Sequence, residues 1–357
     1  MKPLGLSGDC MKLNLEFYKN KTVLVTGHTG FKGTWLTKIL INLGANVVGY
    51  SLSPNTEPNI FALSQVENHI IHILGDITDY EKLNSVFQKY QPEIVFHLAA
   101  QPLVLEGYKN PRSTYNTNVI GTVNVLECVR NCKSVKTIIN ITTDKVYQNN
   151  EKGRAFVETD ILNGFDPYSN SKSCSELVTD CYYRSFLKEK EITVVTMRAG
   201  NVIGGGDFSE NRIMPDCIKA AQANKPIIIR NPNSIRPFQH VLEPLFAYLL
   251  VGIQEYNDIE HFNIGPSESD CISTEELVKK FCKYWGDVEY IIEQKNNAPH
   301  EAGLLLLNCE KIHKELGWSP TWNIDTAVKK VCEFHKSKNI AEIMDNQIKE
   351  YISAIKK

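Results

Sequence analysis

KTVLVTGHTGFKGTWLTKILINL, residues 21–43, decides the fold. Lys21–Thr26 is a short apolar run, the pattern of a strand buried on both faces. Gly27, Gly30 and Gly33 follow at intervals of three, and Thr34–Leu43 has helical spacing. Glycines between a strand and a helix tolerate positive φ and let a backbone approach a pyrophosphate closely. The free N–H groups and the positive end of the helix then face the phosphates. Glycine spacing alone is a weak signal; directly after a buried strand and before a helix it points to a dinucleotide site.

Working outward, the rhythm continues. Asn46–Ser51, Ile70–Leu74, Ile94–Leu98, Thr137–Ile141 and Thr193–Arg198 read as strands; Tyr80–Tyr90, Asn116–Cys132 and Ser169–Leu187 read as helices. This alternation predicts an α/β fold, a Rossmann-type doubly wound parallel sheet covered on both faces. After Arg198 the triplet Gly204–Gly206 and Pro215, Pro226, Pro232 and Pro237 punctuate shorter elements, as in a smaller mixed α/β lobe. Val241–Gln254 reads as a helix, His261–Ile264 as a strand returning to the main sheet, and Ser273 with Glu276 as a capping box. The expected division is an extension over 1–14 and a dinucleotide-binding domain over 15–198 that also receives 240–265. A substrate-binding C-terminal lobe takes 199–239 and 266–337, and 338–357 is a weakly patterned tail.

With 42% hydrophobic and 22% charged residues, the chain has the composition of a protein that buries a core. A net charge of −2 gives no electrostatic reason to expect nucleic acid or an anionic membrane as partner. No stretch reads as a membrane span or signal peptide. The ten cysteines include no C-x-x-C pair, so they are expected to be reduced thiols in a cytoplasmic protein, with no metal site.

The turn residues Gly27, Thr29, Gly30, Phe31, Lys32 and Gly33 are the first candidates for cofactor contact. Asp76 and Ile77, after the third strand, are placed to reach the adenine, and Leu98, Ala99 and Ala100 line the sheet edge where a dinucleotide passes. The second strand ends in Ser51, where an NAD site commonly has an acid for the ribose, so NAD and NADP both stay open. Tyr168 and Lys172 are spaced i, i+4 and share a helix face. A lysine ammonium beside a phenol favours the phenolate, which can take a proton from a sugar hydroxyl, and the same lysine can reach the nicotinamide ribose. A Y-x-x-x-K pair usually marks solvated surface. The glycine turn upstream and Thr143, a hydroxyl just past a strand, shift the reading to catalysis.

TGHTGFKG (26–33), LAAQ (98–101), TTDKVY (142–147) and DPYSNSK (166–172) resemble the extended short-chain dehydrogenase/reductase family. GYSLSPNTEPNIF (49–61), RAGNVIGGGD (198–207), NRIMPD (211–216), IIIRNPNSIRPFQHVLEPL (227–245) and PHEA (299–302) narrow this to the CDP-glucose branch of its nucleotide-sugar 4,6-dehydratases. The resemblance implies an NAD-dependent lyase. Hydride leaves C4 of the sugar, water is lost across C5 and C6, and hydride returns to C6 to give a 4-keto-6-deoxy sugar. It implies Asp144 as the acid for the C6 hydroxyl and Lys145 as the base for C5, where the dTDP-glucose branch has Asp-Glu. Asp144 then has to hold a proton and Lys145 to lose one.

On the substrate side the resemblance implies Arg212 and Arg236 for the pyrophosphate, Asn201 for a phosphate or sugar oxygen, and Gln101, Arg230, His240, His300 and Glu301 as further contacts. It also implies a homodimer through the helices Asn116–Cys132 and Ser169–Leu187. Leu105, Glu106 and Gly107 depart from the family pattern, as do Gly303, Leu304 and Leu305, and bear on sugar specificity. A nucleotide-sugar 4-epimerase and a non-catalytic NAD(P)-sensing regulator are the competing readings. The first has no use for Asp144–Lys145; the second has no use for an intact Thr143, Tyr168 and Lys172.

Overall fold

The computed structural model describes residues 14–149, 153–293 and 305–355. Seven parallel strands form one sheet: β1 (Thr22–Thr26), β2 (Asn46–Ser51), β3 (Ile71–Leu74), β4 (Ile94–His97), β5 (Thr137–Ile141), β6 (Thr193–Ala199) and β7 (Glu260–Ile264). Their order is β7-β6-β5-β4-β1-β2-β3, the doubly wound arrangement expected. Strand His261–Ile264 does return to the main sheet, pairing with β6.

Strand residues alternate between two cores, because successive side chains leave a strand on opposite faces. Val23, Val25, Phe96, Ile139 and Val195 face the helices Phe31–Asn42 and Leu242–Gly252. Leu24, Val95, Ile138 and Val194 face the helices Tyr80–Tyr90 and Gly121–Asn131. A third cluster, with Met214, Phe238, Phe281 and Val328, forms the core of the smaller lobe. There the capping box of Ser273 and Glu276 starts the helix Thr274–Trp285.

The tail differs from expectation. Ile340–Ile355 is a helix whose Met344, Ile348 and Tyr351, spaced by four and three, enter the first core. The Tyr351 hydroxyl donates to the buried carboxylate of Glu243 at 2.6 Å, and Asp345 pairs with Lys38 at 2.9 Å. Among the described residues no helix is long and apolar enough to cross a membrane.

Candidate active site

The topological switch lies between β1 and β4, whose ends are level: Thr26 pairs with His97. The segments leaving the strand ends form the crevice. After β1, Gly27 turns with φ +76°, and a Cβ there would sit 2.8 Å from the Ala99 backbone nitrogen. A Cβ on Gly33 would collide with the Gly27 carbonyl. Only glycine permits this packing, which leaves the first-turn N–H groups of Phe31–Asn42 open to a ligand. A dinucleotide pyrophosphate fits this turn.

Around it, the Thr29 hydroxyl bonds to the Ser51 hydroxyl at 2.8 Å and donates to the Leu52 carbonyl. The end of β2 therefore presents hydroxyls and no carboxylate. Leu98 and Ala99 are tied to Thr26 through their backbone N–H groups, keeping the segment through Ala100 against the turn. Asp76 accepts from the Thr78 N–H at 2.9 Å, while Ile77 is buried and fills the space beside Gly121. Phe31 packs toward Gly204 of the smaller lobe. Burial, with the nearby charges of Arg212, Lys172 and Lys145, lowers the pKa of Lys32 to about 8, against the pull of Asp144.

After β5, Thr143 starts a short turn containing Asp144 and Lys145, and the helix Pro167–Tyr182 lies over it. The local sequence explains the close fit. The Asp166 carboxylate caps the helix by accepting the Tyr168 and Ser169 N–H groups at 2.9 and 3.1 Å, and Pro167 occupies the first turn. The Ser173 hydroxyl then donates to the Val146 carbonyl at 2.7 Å, a contact only a small side chain allows. Tyr168 and Lys172 are thereby delivered to Thr143, and all three are buried.

Burial raises the pKa of Tyr168, while neighbouring Lys145, Thr143 and Arg212 oppose the rise. The Lys172 ammonium donates to the Ile141 carbonyl at 2.9 Å, and burial lowers its pKa to about 8 in spite of Glu176. The Thr143 hydroxyl donates to Asp144 Oδ1 at 3.0 Å, and Lys145 Nζ donates to the same oxygen at 3.1 Å. Asp144 Oδ2 is buried with no partner among the described residues.

The substrate-side residues divide. Arg212 reaches the same cluster, held by Asp207 at 2.9 Å, and Asn201 keeps a buried Oδ1 without a partner among the described residues. Arg236 is buried on the strand Ile235–Pro237. Gln101 spends its side chain on Thr114 and the Leu103 N–H. Arg230 is exposed, near Asp216. His240 sits in the core between Trp35 and Trp322. His300, Glu301, Gly303 and Leu304 lie outside the described residues; Leu305 is buried.

Gly107 has a steric reason for its departure: a Cβ there would sit 3.0 Å from the Tyr168 backbone nitrogen. Glu176, Arg198 and Asp207 were not anticipated from the sequence. For Glu176 a signal existed, since it continues the Tyr168–Lys172 spacing by four.

Residues 24–331 match the profile of the GDP-mannose 4,6 dehydratase family. The chain belongs to that family. It is 41% identical over 355 residues to a CDP-glucose 4,6-dehydratase of Salmonella typhimurium, covering 96% of this chain and 99% of that one. A dTDP-glucose 4,6-dehydratase of Haemophilus influenzae is 28% identical over 340 residues, covering 88% of this chain and 97% of that one. In fold the chain is similar to the dTDP-glucose 4,6-dehydratase of Bacillus anthracis, solved in complex with NAD. That match has a TM-score of 0.75 at 21% identity and covers 91% of this chain and 99% of that one.

Proposed function

We propose that this family member is an NAD-dependent CDP-glucose 4,6-dehydratase. The observation that carries the reading is the Asp144–Lys145 pair, with a carboxylate oxygen that has no partner among the described residues, set beside Thr143, Tyr168 and Lys172. An epimerase has no use for such a pair. The 41% identity to a CDP-glucose enzyme over nearly the whole chain supports the choice of nucleotide sugar.

The turn of Gly27, Gly30 and Gly33 would hold NAD, which would supply the hydride chemistry at C4 and C6. Tyr168 Oη takes the C4 hydroxyl proton, and the Lys172 ammonium favours the phenolate that does so. Lys145 Nζ takes the C5 proton, made acidic by the new C4 ketone. Asp144 Oδ2 donates a proton to O6 as water leaves. As hydride reaches C6, Lys145 returns a proton to C5. The proton gained by Tyr168 balances the one lost by Asp144, whose Oδ1 accepts from the Thr143 hydroxyl. Arg212 and Arg236 suit the substrate's pyrophosphate, with Asn201 Oδ1 for a sugar hydroxyl.

The reading extends to a homodimer through the helices Asn116–Cys132 and Ser169–Leu187, on which Ile120 and Leu177 expose apolar surface. It also places the enzyme in the cytoplasm, in keeping with the free cysteines among the described residues.

The test is incubation with CDP-glucose in heavy water. The expected product is a 4-keto-6-deoxy sugar with deuterium at C5, hydride from C4 found at C6, and no net NADH. Formation of CDP-galactose without C5 exchange would replace this reading with an epimerase.

A further inference from the structure

Behind the Tyr168–Lys172 pair, the same helix face carries Glu176, one turn beyond Lys172. Its side chain is 1% exposed. The carboxylate accepts hydrogen bonds from the hydroxyls of Thr142 and Thr196 and from Arg198 through Nε and a terminal nitrogen, at 3.0 and 2.9 Å. His261 Nδ1 lies 3.5 Å from it and bridges to Asp180. One buried carboxylate thus joins the helix to β5, β6 and β7.

A buried carboxylate on its own takes up a proton. Here Arg198 and the His261 ring hold Glu176 well below the usual carboxylate range in spite of burial. The groups facing Lys172 are Glu176 on its own helix, Lys32 from the glycine turn and His97 from β4. Lys32 is a like charge, and burial holds His97 neutral with its pKa lowered to about 3. Glu176 is therefore the group that opposes desolvation of the Lys172 ammonium. It also grips Thr142, the residue before Thr143.

We propose that Glu176 is a positioning residue for the oxidation step: its charge keeps Lys172 an ammonium, and its bond to Thr142 fixes the strand end that carries Thr143. This rests on the assignment of Tyr168 and Lys172 as the oxidation pair. Charges then alternate from Arg198 through Glu176 to Lys172 and the phenolate, and Arg198 serves the reaction by keeping Glu176 ionised.

The test uses the full chain with NAD present and three variants: Glu176→Gln, Glu176→Asp, and Glu176→Gln combined with Arg198→Met. The double variant covers the case in which an unpaired buried Arg198 prevents folding, since an uncharged pair of similar volume is tolerated in such positions. The first readout is the ionisation of Lys172, followed by NMR of lysine labelled at the ε carbon and assigned with Lys172→Met. The second is the alkaline limb of the first oxidation, followed by NADH absorbance in a single turnover.

Glu176→Gln and the double variant should each lower the Lys172 midpoint by a unit or more. The alkaline limb should move with it, and kcat at pH 8 should fall about tenfold with KM unchanged. Glu176→Asp should keep the midpoint near wild type. A wild-type midpoint in the folded Gln or double variant overturns the proposal, as does an Asp variant shifted as far as Gln. If the midpoint moves as stated and no substrate is oxidised, the proposal about Glu176 stands and the assignment of the reaction fails instead.

Discussion

Gly107 and Tyr168 meet backbone to backbone: the space a Cβ would take at Gly107 lies 3.0 Å from the Tyr168 amide nitrogen. That nitrogen is also the one capped by Asp166, so pressure at Gly107 is transmitted to the first turn of the helix bearing Tyr168. Gly107→Val should lower kcat by at least tenfold, because small misplacements of a reacting group are costly, and destabilise the fold by about 1–3 kcal/mol through overpacking. Gly107→Ala should do less of both. Steady-state kinetics with melting curves check this, and unchanged kcat in the Val variant would refute it.

Separating the two halves of the reaction needs two substitutions. Tyr168→Phe should remove the C4 oxidation, with about a 10²–10⁴-fold loss in kcat. Asp144→Asn should leave the oxidation and stop the loss of water, so NADH accumulates on the enzyme and no C6-deoxy product forms. Absorbance at the NADH band with product mass distinguishes them.

Lys32 sits in the glycine turn, within the electrostatic reach of Arg212, Lys145 and Lys172. Cations so gathered favour an anionic ligand, and a charge-assisted contact is worth about 1.5–3 kcal/mol. Lys32→Met should weaken binding of a phosphate-bearing ligand at pH 7 by roughly tenfold or more. The difference from wild type should shrink as pH rises past about 8, where the wild-type ammonium is lost. Calorimetric titration with NAD alone and with CDP alone, at pH 7 and pH 9, reads both the size and the ligand.

Glu243 makes stability depend on pH. Burial raises its pKa to about 7, against the hydrogen bonds from Tyr351 and the Thr321 and Trp322 N–H groups. A carboxyl whose folded pKa is raised favours the fold while protonated. That benefit is whole below its unfolded pKa of about 4.5 and is lost as pH climbs to about 7. Its contribution should fall by about 3 kcal/mol across that window, as a difference between wild type and Glu243→Gln in chemical unfolding. Tyr351→Phe should cost about 1–2 kcal/mol, and more at pH 8 than at pH 5, because the ionised carboxylate loses a donor.

Much of the fold was legible because it is written locally. A two-faced apolar strand, a glycine turn and a helix occupy one continuous run, and Tyr168 with Lys172 needs only helical spacing to share a face. What was not legible is long-range. Arg198 meets Glu176 only because β6 lies beside β5 beneath the helix. His240 sits in a substrate-like string, yet the fold packs it between two tryptophans. The helix Ile340–Ile355 has a readable spacing of apolar residues, but its weak charge pattern hid the core face that Met344 and Tyr351 complete.

That last helix has a practical consequence. Asp345 holds Lys38 and Asn42 on the helix whose other end leaves the glycine turn, and Met344, Ile348 and Tyr351 seal the layer beneath it. A minimal catalytic fragment therefore cannot be trimmed back to the end of the family match at residue 331. Shortening the chain before Ile340 would strip the brace from the cofactor turn, and the truncated protein should lose its hold on the dinucleotide before it loses its sheet.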